Sequence, residues 1–339
     1  MTKHSRTKGI WSKVVVCFVA CLLVWVPSGE TASLTLDHQI AKDRGIILYN
    51  QYKARSATPF LTTAAEAGDP EAQFFLGESL RQNNRFMTSE AKQWLEAAAD
   101  QGHVYSMIRL ARSSSNLCSA IGSCPEGSRS PGEWYEHAYD AIQPLAEQGN
   151  AEAMFQMYKL TLDADWRARA AEAGHSEAQY WHAAFIEEGA GSFWWPGSRQ
   201  KEVEKWFKAS AEGGYPLGMM RHAGILADNA DDAGYRYWMS KAASTGYARA
   251  VYALAALSGH EPERHGIELD LVKSYGLLHL LLELDGGGST GSVAKSTMPD
   301  VEIKMTPEQI QQALEFAEEW KASHPPLSYF PHILHALDN

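Results

Sequence analysis

The sequence predicts an all-α fold, an α-solenoid of helix-turn-helix repeats, and three observations predict it. A short string of alanines ending in glycine recurs along the 339 residues, small side chains return at fixed distances after each glycine, and a tryptophan precedes most of the alanine pairs. Self-similarity at a period of tens of residues marks an array in which each unit buries its apolar face only against its neighbours.

The string Ala64-Ala65-Glu66-Ala67-Gly68-Asp69-Pro70-Glu71-Ala72 returns as Ala98-Ala99-Asp100-Gln101-Gly102 and as Leu145-Ala146-Glu147-Gln148-Gly149-Asn150-Ala151-Glu152-Ala153. Further copies follow at Ala170-Ala171-Glu172-Ala173-Gly174, Ser210-Ala211-Glu212-Gly213-Gly214 and Ala242-Ala243-Ser244-Thr245-Gly246. A helix that arrives at the alanines can end at the glycine, which takes the left-handed backbone at little steric cost. Four residues past each glycine stand Ala72, Ser106, Ala153, Ala178, Gly218 and Ala250. Nine past stand Gly77, Ala111, Ala183, Ala223 and Ala255, with Tyr158 the exception. Small residues at these positions let neighbouring helices approach closely. Eight past stand Leu76, Leu110, Met157, His182, His222 and Leu254, the expected core filler. Trp94, Trp134, Trp166, Trp206 and Trp238 on the second helices are expected to pack rather than to stack on a ligand.

With Leu76-Gly77 and Ala91-Lys92-Gln93-Trp94-Leu95-Glu96-Ala97-Ala98 in view, the chain resembles the Sel1-like repeat family, relatives of the tetratricopeptide repeats, from about Gly68 to Leu284. The resemblance implies a protein-binding scaffold with neither a cofactor nor a catalytic residue. One group of exported Sel1-like proteins serves as immunity proteins against antibacterial type VI secretion effectors, including phospholipases. The most specific function implied is therefore an immunity protein; the alternative is a cell-envelope scaffold for a secretion or polysaccharide-assembly complex. The chain departs from a regular array, since its junction glycines are 34, 47, 25, 40 and 32 residues apart. Cysteine-stapled Sel1-like proteins carry a disulfide in each repeat, and this chain does not.

The leader sets the compartment. Lys3, Arg6, Lys8 and Lys13 precede a 13-residue apolar run, Val14 to Val26, and then small residues. That run is shorter than the roughly 20 residues a bilayer-spanning helix needs, so residues 1–28 read as a secretory signal peptide. An uncleaved membrane anchor and lipidation at Cys21 are the alternatives. A periplasmic or secreted location follows, with the membrane touched only through an uncleaved leader. Without the leader's four bases, 26 basic side chains face 41 acidic ones, which disfavours nucleic acid and suits a protein partner with a basic face. Cys118 and Cys124 share a Ser/Gly/Pro-rich insert, residues 113–132, and in an oxidising compartment are expected to form a disulfide; free thiols and pairing between chains are the alternatives.

The remaining organisation is coarse. Residues 34–67 form N-terminal lead-in helices, 68–284 the solenoid of about six units, 285–305 a flexible loop, and 306–339 a capping helix with a tail over the last repeat. Thr306-Pro307-Glu308-Gln309 spells a capping box with proline in the first turn.

Motifs for chemistry fail on context. Gly287-Gly288-Ser289-Thr290-Gly291 matches a serine-hydrolase elbow, but a helix precedes it and polar loop is expected after it. His260-Glu261-Pro262-Glu263-Arg264-His265 has the wrong spacing for a zinc protease and an interrupting proline. His324, His332 and His335 lack accompanying acids or cysteines, so no metal site is expected there. His182 and His222 are expected to be half-buried and hydrogen-bonded. Binding is expected on the first helices, along a stripe of Glu71, Phe74, Tyr105, Glu152, Phe155, Glu177 and Tyr180, and at the turn Phe193-Trp194-Trp195, where three bulky residues exceed what a turn needs for packing.

Overall fold

A computed structural model describes residue 1 and residues 34–113, 129–259 and 265–330. Residues 34 onward form a unit of their own, described here by itself. Its helices are α1 (Leu36–Asn50), α2 (Ala54–Glu66), α3 (Pro70–Asn84), α4 (Ser89–Asp100), α5 (Val104–Ala111) and α6 (Pro131–Glu147). There follow α7 (Ala151–Thr161), α8 (Ala164–Glu172), α9 (Ser176–Glu187), α10 (Ser198–Glu212) and α11 (Pro216–Asp228). The last are α12 (Asp232–Ala243), α13 (Ala248–Ser258), α14 (Leu271–Leu281), α15 (Thr290–Glu302) and α16 (Pro307–Ser323). No strand occurs among the described residues, only one isolated bridge. Each helix up to α15 packs on its chain neighbours, α16 packs on α14, and first helices also meet across units, as α5 meets α7 and α9 meets α11. The fold is an all-α solenoid.

The junctions are built as the alanine-glycine strings require. Glycines 68, 102, 149, 174, 214 and 246 all have positive φ, between 78° and 94°. Gly68 N donates to Ala65 O and Asp69 N to Ala64 O, the paired closure of a Schellman turn. The same pair recurs at Gly102/His103, Gly149/Asn150, Gly174/His175 and Gly214/Tyr215. The residue after the glycine then caps the next helix. Asp69, His103, Asn150 and His175 each accept, through the side chain, from the backbone N–H three residues on.

Helices approach where the small residues stand. The positions four past each glycine are all buried. A Cβ on Gly77 would stand 2.7 Å from Leu95 Cγ, and one on Gly45 2.6 Å from Leu61 Cγ, so α1 and α2 form a hairpin of the same kind as α3 and α4. Trp134 is buried, while Trp94, Trp166, Trp206 and Trp238 are partly buried against the core. The apolar interior falls into three clusters. One gathers residues from Ile46 to Ala178 and a second those from Ala211 to Leu327; between them lies a small one of Ala183, Ile186, Val203 and Phe207.

The C-terminal segment does more than cover the last repeat. Ser328 N donates to Gly246 O and Ala248 N to Ser328 O, tying the strap to the α12–α13 junction. Tyr329 N donates to Asn50 O, and Gln51 Nε2 to Leu327 O, tying it to the first hairpin as well. Tyr52 packs on both Tyr329 and Phe330, and Lys53 pairs with Asp285 at 2.8 Å. The first hairpin and the last units are thereby clasped together.

One boundary needs correction. Residues 285–305 are not a flexible loop: 290–302 form α15, seated on α14 with Ala294, Met298 and Val301 buried. The glycine run and a proline at 299 hid a helix whose apolar side chains recur at helical spacing. The capping helix α16 has the expected box, with Thr306 and Gln309 bonding reciprocally. No helix among the described residues is long and apolar enough to cross a membrane. The leader, the Cys118/Cys124 insert, residues 260–264 and His332 with His335 lie outside the described residues.

Candidate functional site

The expected stripe on the first helices is largely internal. Phe74 and Phe155 are 2% and 0% exposed, and Glu177 is 3% exposed. They are therefore core positions and not surface for a partner, because the residue that caps the next unit folds over the aromatic six past the glycine. His103 lies over Phe74 with ring centroids 4.7 Å apart, His175 stacks on Phe155 at 4.3 Å, and Tyr215 covers Tyr180 at 5.3 Å. Sequence reasoning missed this cover, although its signal, an aromatic ring directly after the glycine, was present in the string.

The carboxylates of the stripe are also engaged. Lys42 reaches both Asp69 and Glu71 at 3.2 Å. Burial pulls the Lys42 ammonium down, and the two acids more than reverse it, so the net direction is up. Fully buried Glu78 accepts from Arg81 at 3.0 Å and from Arg109 Nε at 2.8 Å. Glu152 accepts from the Tyr105 hydroxyl and sits 2.9 Å from His175 Nε2. Burial, with Glu152 next, pushes the Tyr105 phenol well above its ordinary range. Lys159 reaches Glu177 at 3.4 Å, and Arg221 pairs with Glu187. Many of these pairs link adjacent units, so the acidic stripe is neutralised within the array rather than kept for a basic partner. Tyr180 is half-buried, and burial raises its phenol.

The turn between α9 and α10 behaves otherwise. Trp194 and Trp195 are 90% and 80% exposed, while Phe193 packs inward on the small central cluster. Arg199 holds the turn: its guanidinium donates to Ile186 O and Ala190 O and lies 4.7 Å over the Phe193 ring. Gly197, at φ 79°, starts α10, and Ser198 Oγ donates to Trp195 O at 2.7 Å. The turn is thus fastened at both ends with two indoles outward. Of the expected site residues, Trp194 and Trp195 stand together as strongly exposed side chains, next to the inward-packed Phe193.

No family model matches the chain, and no curated protein matches it. Among solved structures it is similar to c5321, a protective antigen present in uropathogenic Escherichia coli strains that displays an SLR fold: 18% identity over 85% of this chain and 77% of that one, TM-score 0.39. It is similar to a Sel1 repeat protein from Oxalobacter formigenes, at 20% identity over 68% of this chain and 95% of that one, TM-score 0.38. A third similarity is to Acl4, an assembly chaperone of RpL4, at 13% identity over 85% and 96%, TM-score 0.26. Two of the three are Sel1-repeat or SLR proteins by description.

The chemistry motifs resolve in the described residues. Ser289 begins α15 and follows helix α14, so the elbow lacks its strand, although a helix and not polar loop comes after it. His324 stacks on Trp320 at 3.7 Å, and its Nδ1 lies 3.0 Å from Trp320 O. No group of three or more His, Cys, Asp or Glu among the described residues could hold a metal ion. His182 and His222 are not hydrogen-bonded at Nδ1, as had been expected; each Nδ1 is buried without a partner. Their rings instead meet Trp206 and Trp238 edge-on, with centroids 5.1 and 5.5 Å apart. Burial is the largest cause holding both imidazoles below the ordinary value of 6.5; Arg167 adds to it at His182 and Lys208 at His222.

Proposed function

We propose that this chain is an exported protein-binding solenoid without catalysis of its own, and most specifically an immunity protein that neutralises an antibacterial type VI secretion effector of phospholipase type. The observation that carries the binding reading is the pair of outward indoles on a fastened turn. Exposed tryptophan is rare on a surface that meets only water, and tryptophan is a favoured anchor in buried interfaces. Each indole can bury roughly 150–250 Å². Because Arg199 and Ser198 already fix the turn, little conformational freedom remains to be lost on binding. Recognition rests on these rings rather than on the carboxylates of the first helices, which have partners inside the array. The leader, the acidic excess and the irregular unit lengths support the exported immunity reading.

Affinity capture from periplasmic extract tests it, comparing the parent with Trp194→Ala/Trp195→Ala. Two lost anchors are expected to cut partner recovery by about thirtyfold or more. Equal recovery would remove the turn from the binding site. The immunity reading expects an antibacterial effector gene beside this one, and export of the chain together with that effector should protect cells; undiminished killing counts against it.

A further inference from the structure

The turn that carries the tryptophans sits on the hairpin whose apolar cluster is the smallest of the three. Four buried apolar side chains, Ala183, Ile186, Val203 and Phe207, make its cluster, while the clusters on either side are far larger. Phe193 from the turn and Trp206 from α10 both pack against those four. Opposite Trp206, on α9, the position occupied elsewhere by Leu76, Leu110, Met157 or Leu254 holds His182. Its ring stands at 80° to the indole, 5.1 Å between centroids. Its Nδ1 is buried and without a hydrogen-bond partner.

We propose that His182 is an acid-sensitive latch: neutral, it holds the α9–α10 hairpin and its tryptophan turn in the presented form, and charged, it lets them open. The functional side of this inference rests on the turn being the partner site. The neutral ring is an acceptable leucine substitute against an indole edge. A proton on Nδ1 would place there a donor with no acceptor, inside a small core. The surrounding charges do not compensate. From α8, Arg167 repels a charged ring and Glu172 attracts it; from α10, Lys205 repels and Glu202 attracts. Arg167 is buried, with its guanidinium 4.1 Å over Phe185 and 5.3 Å over Tyr158, so it cannot easily turn away. Together with burial, the repulsion prevails. Since Phe193 and Trp206 share one core, loosening the second frees the first. Low-stability segments open locally without global unfolding.

His222 offers an internal comparison. It meets Trp238 in the same way, but Trp238 packs on the C-terminal cluster, whereas Trp206, besides touching the large N-terminal cluster, packs on the small one that also holds Phe193. Charging it should not open the tryptophan turn.

Hydrogen exchange on the full chain, read by mass spectrometry as protection factors, tests the latch one pH unit above and one below the ordinary histidine value of 6.5. In the parent, protection over residues 188–206 should fall about fivefold at the acid pH, the low end of what an unsatisfied buried donor costs. His182→Leu, or His182→Gln should the leucine variant fold poorly, should show no fall, and His222→Leu should keep it. Equal protection at both pH values in the parent would overturn the latch, as would an undiminished fall in both His182 variants. No partner is needed for this measurement, so loss of the binding reading in the capture experiment leaves the exchange result standing, and the reverse.

Discussion

Gly246 and Gly214 provide a matched pair for measuring what the C-terminal strap contributes. Both end a second helix with left-handed backbone, at φ 78° and 92°. A Cβ at Gly214 meets nothing within 4 Å, whereas one at Gly246 would stand 2.7 Å from Pro326 O and 2.9 Å from Pro325 O. Gly214→Ala therefore tests backbone conformation alone. An L-residue in the left-handed region costs roughly 1–2 kcal/mol, reduced by roughly 0.4–1 kcal/mol because alanine restricts the unfolded chain. About 1 kcal/mol is expected. Gly246→Ala adds a clash with backbone carbonyls, which no rotamer change relieves, so the strap itself must shift. Forcing extra volume into a filled site costs about 1–3 kcal/mol, giving a total of about 2–4 kcal/mol. The shift would strain the Ser328–Gly246 and Ala248–Ser328 hydrogen bonds. Urea unfolding followed by circular dichroism measures both variants, and limited proteolysis of the C-terminal segment locates the damage. Losses equal within a few tenths of a kcal/mol, with the strap cut no faster in Gly246→Ala, would refute the clasp.

Other outcomes follow from the same contacts. Glu78→Ala leaves the Arg81 and Arg109 guanidiniums facing a buried gap, and about 3 kcal/mol of urea stability should go, the low end for a broken buried pair because both arginines retain some exposure. Trp194→Ala/Trp195→Ala should change stability by less than about 0.5 kcal/mol, since the indoles touch mainly solvent; a larger loss would show that they pack. His182 and His222, both held below 6.5 by burial, bind fewer protons folded than unfolded just beneath that pH. Stability is then full above 6.5 and falls as pH drops through it, and urea titrations of His182→Leu/His222→Leu should show a flatter acid limb than the parent.

The fold was legible because the repeat writes its geometry in residue types that have few other uses. Glycine closing an alanine-bearing string at six places reports a left-handed helix end, and buried small residues at constant offsets report close helix approach. Helix α15 was not legible, because three glycines and a proline are stronger breaker signals than its short apolar spacing. Nor was the closure by the strap, whose Tyr329 meets Tyr52 and Asn50 from the other end of the array; no local pattern encodes a contact across nearly 280 positions. At the site, the tryptophan turn presents two exposed indoles, whereas Phe74, Phe155 and Glu177 of the stripe are buried. Periodicity assigns a residue to a face of its own helix, whereas Phe74 and Phe155 are buried by side chains of the next unit.

That difference bears on where specificity can reside in such an array. Each first helix spends its acids on its neighbours: Lys42 with Glu71, Glu78 with Arg109, Lys159 with Glu177, Glu187 with Arg221. Nearest-neighbour pairs of this kind hold the units in register, as a stack whose units meet mainly their neighbours requires. Residues bound to that task cannot be altered to suit a partner without loosening the stack. Recognition then falls to segments outside the repeat pattern, whose side chains no neighbouring unit needs. The turn after α9 is such a segment. Its inward residue, Phe193, is held by the hairpin, and the indoles of its outward residues, Trp194 and Trp195, face mainly solvent.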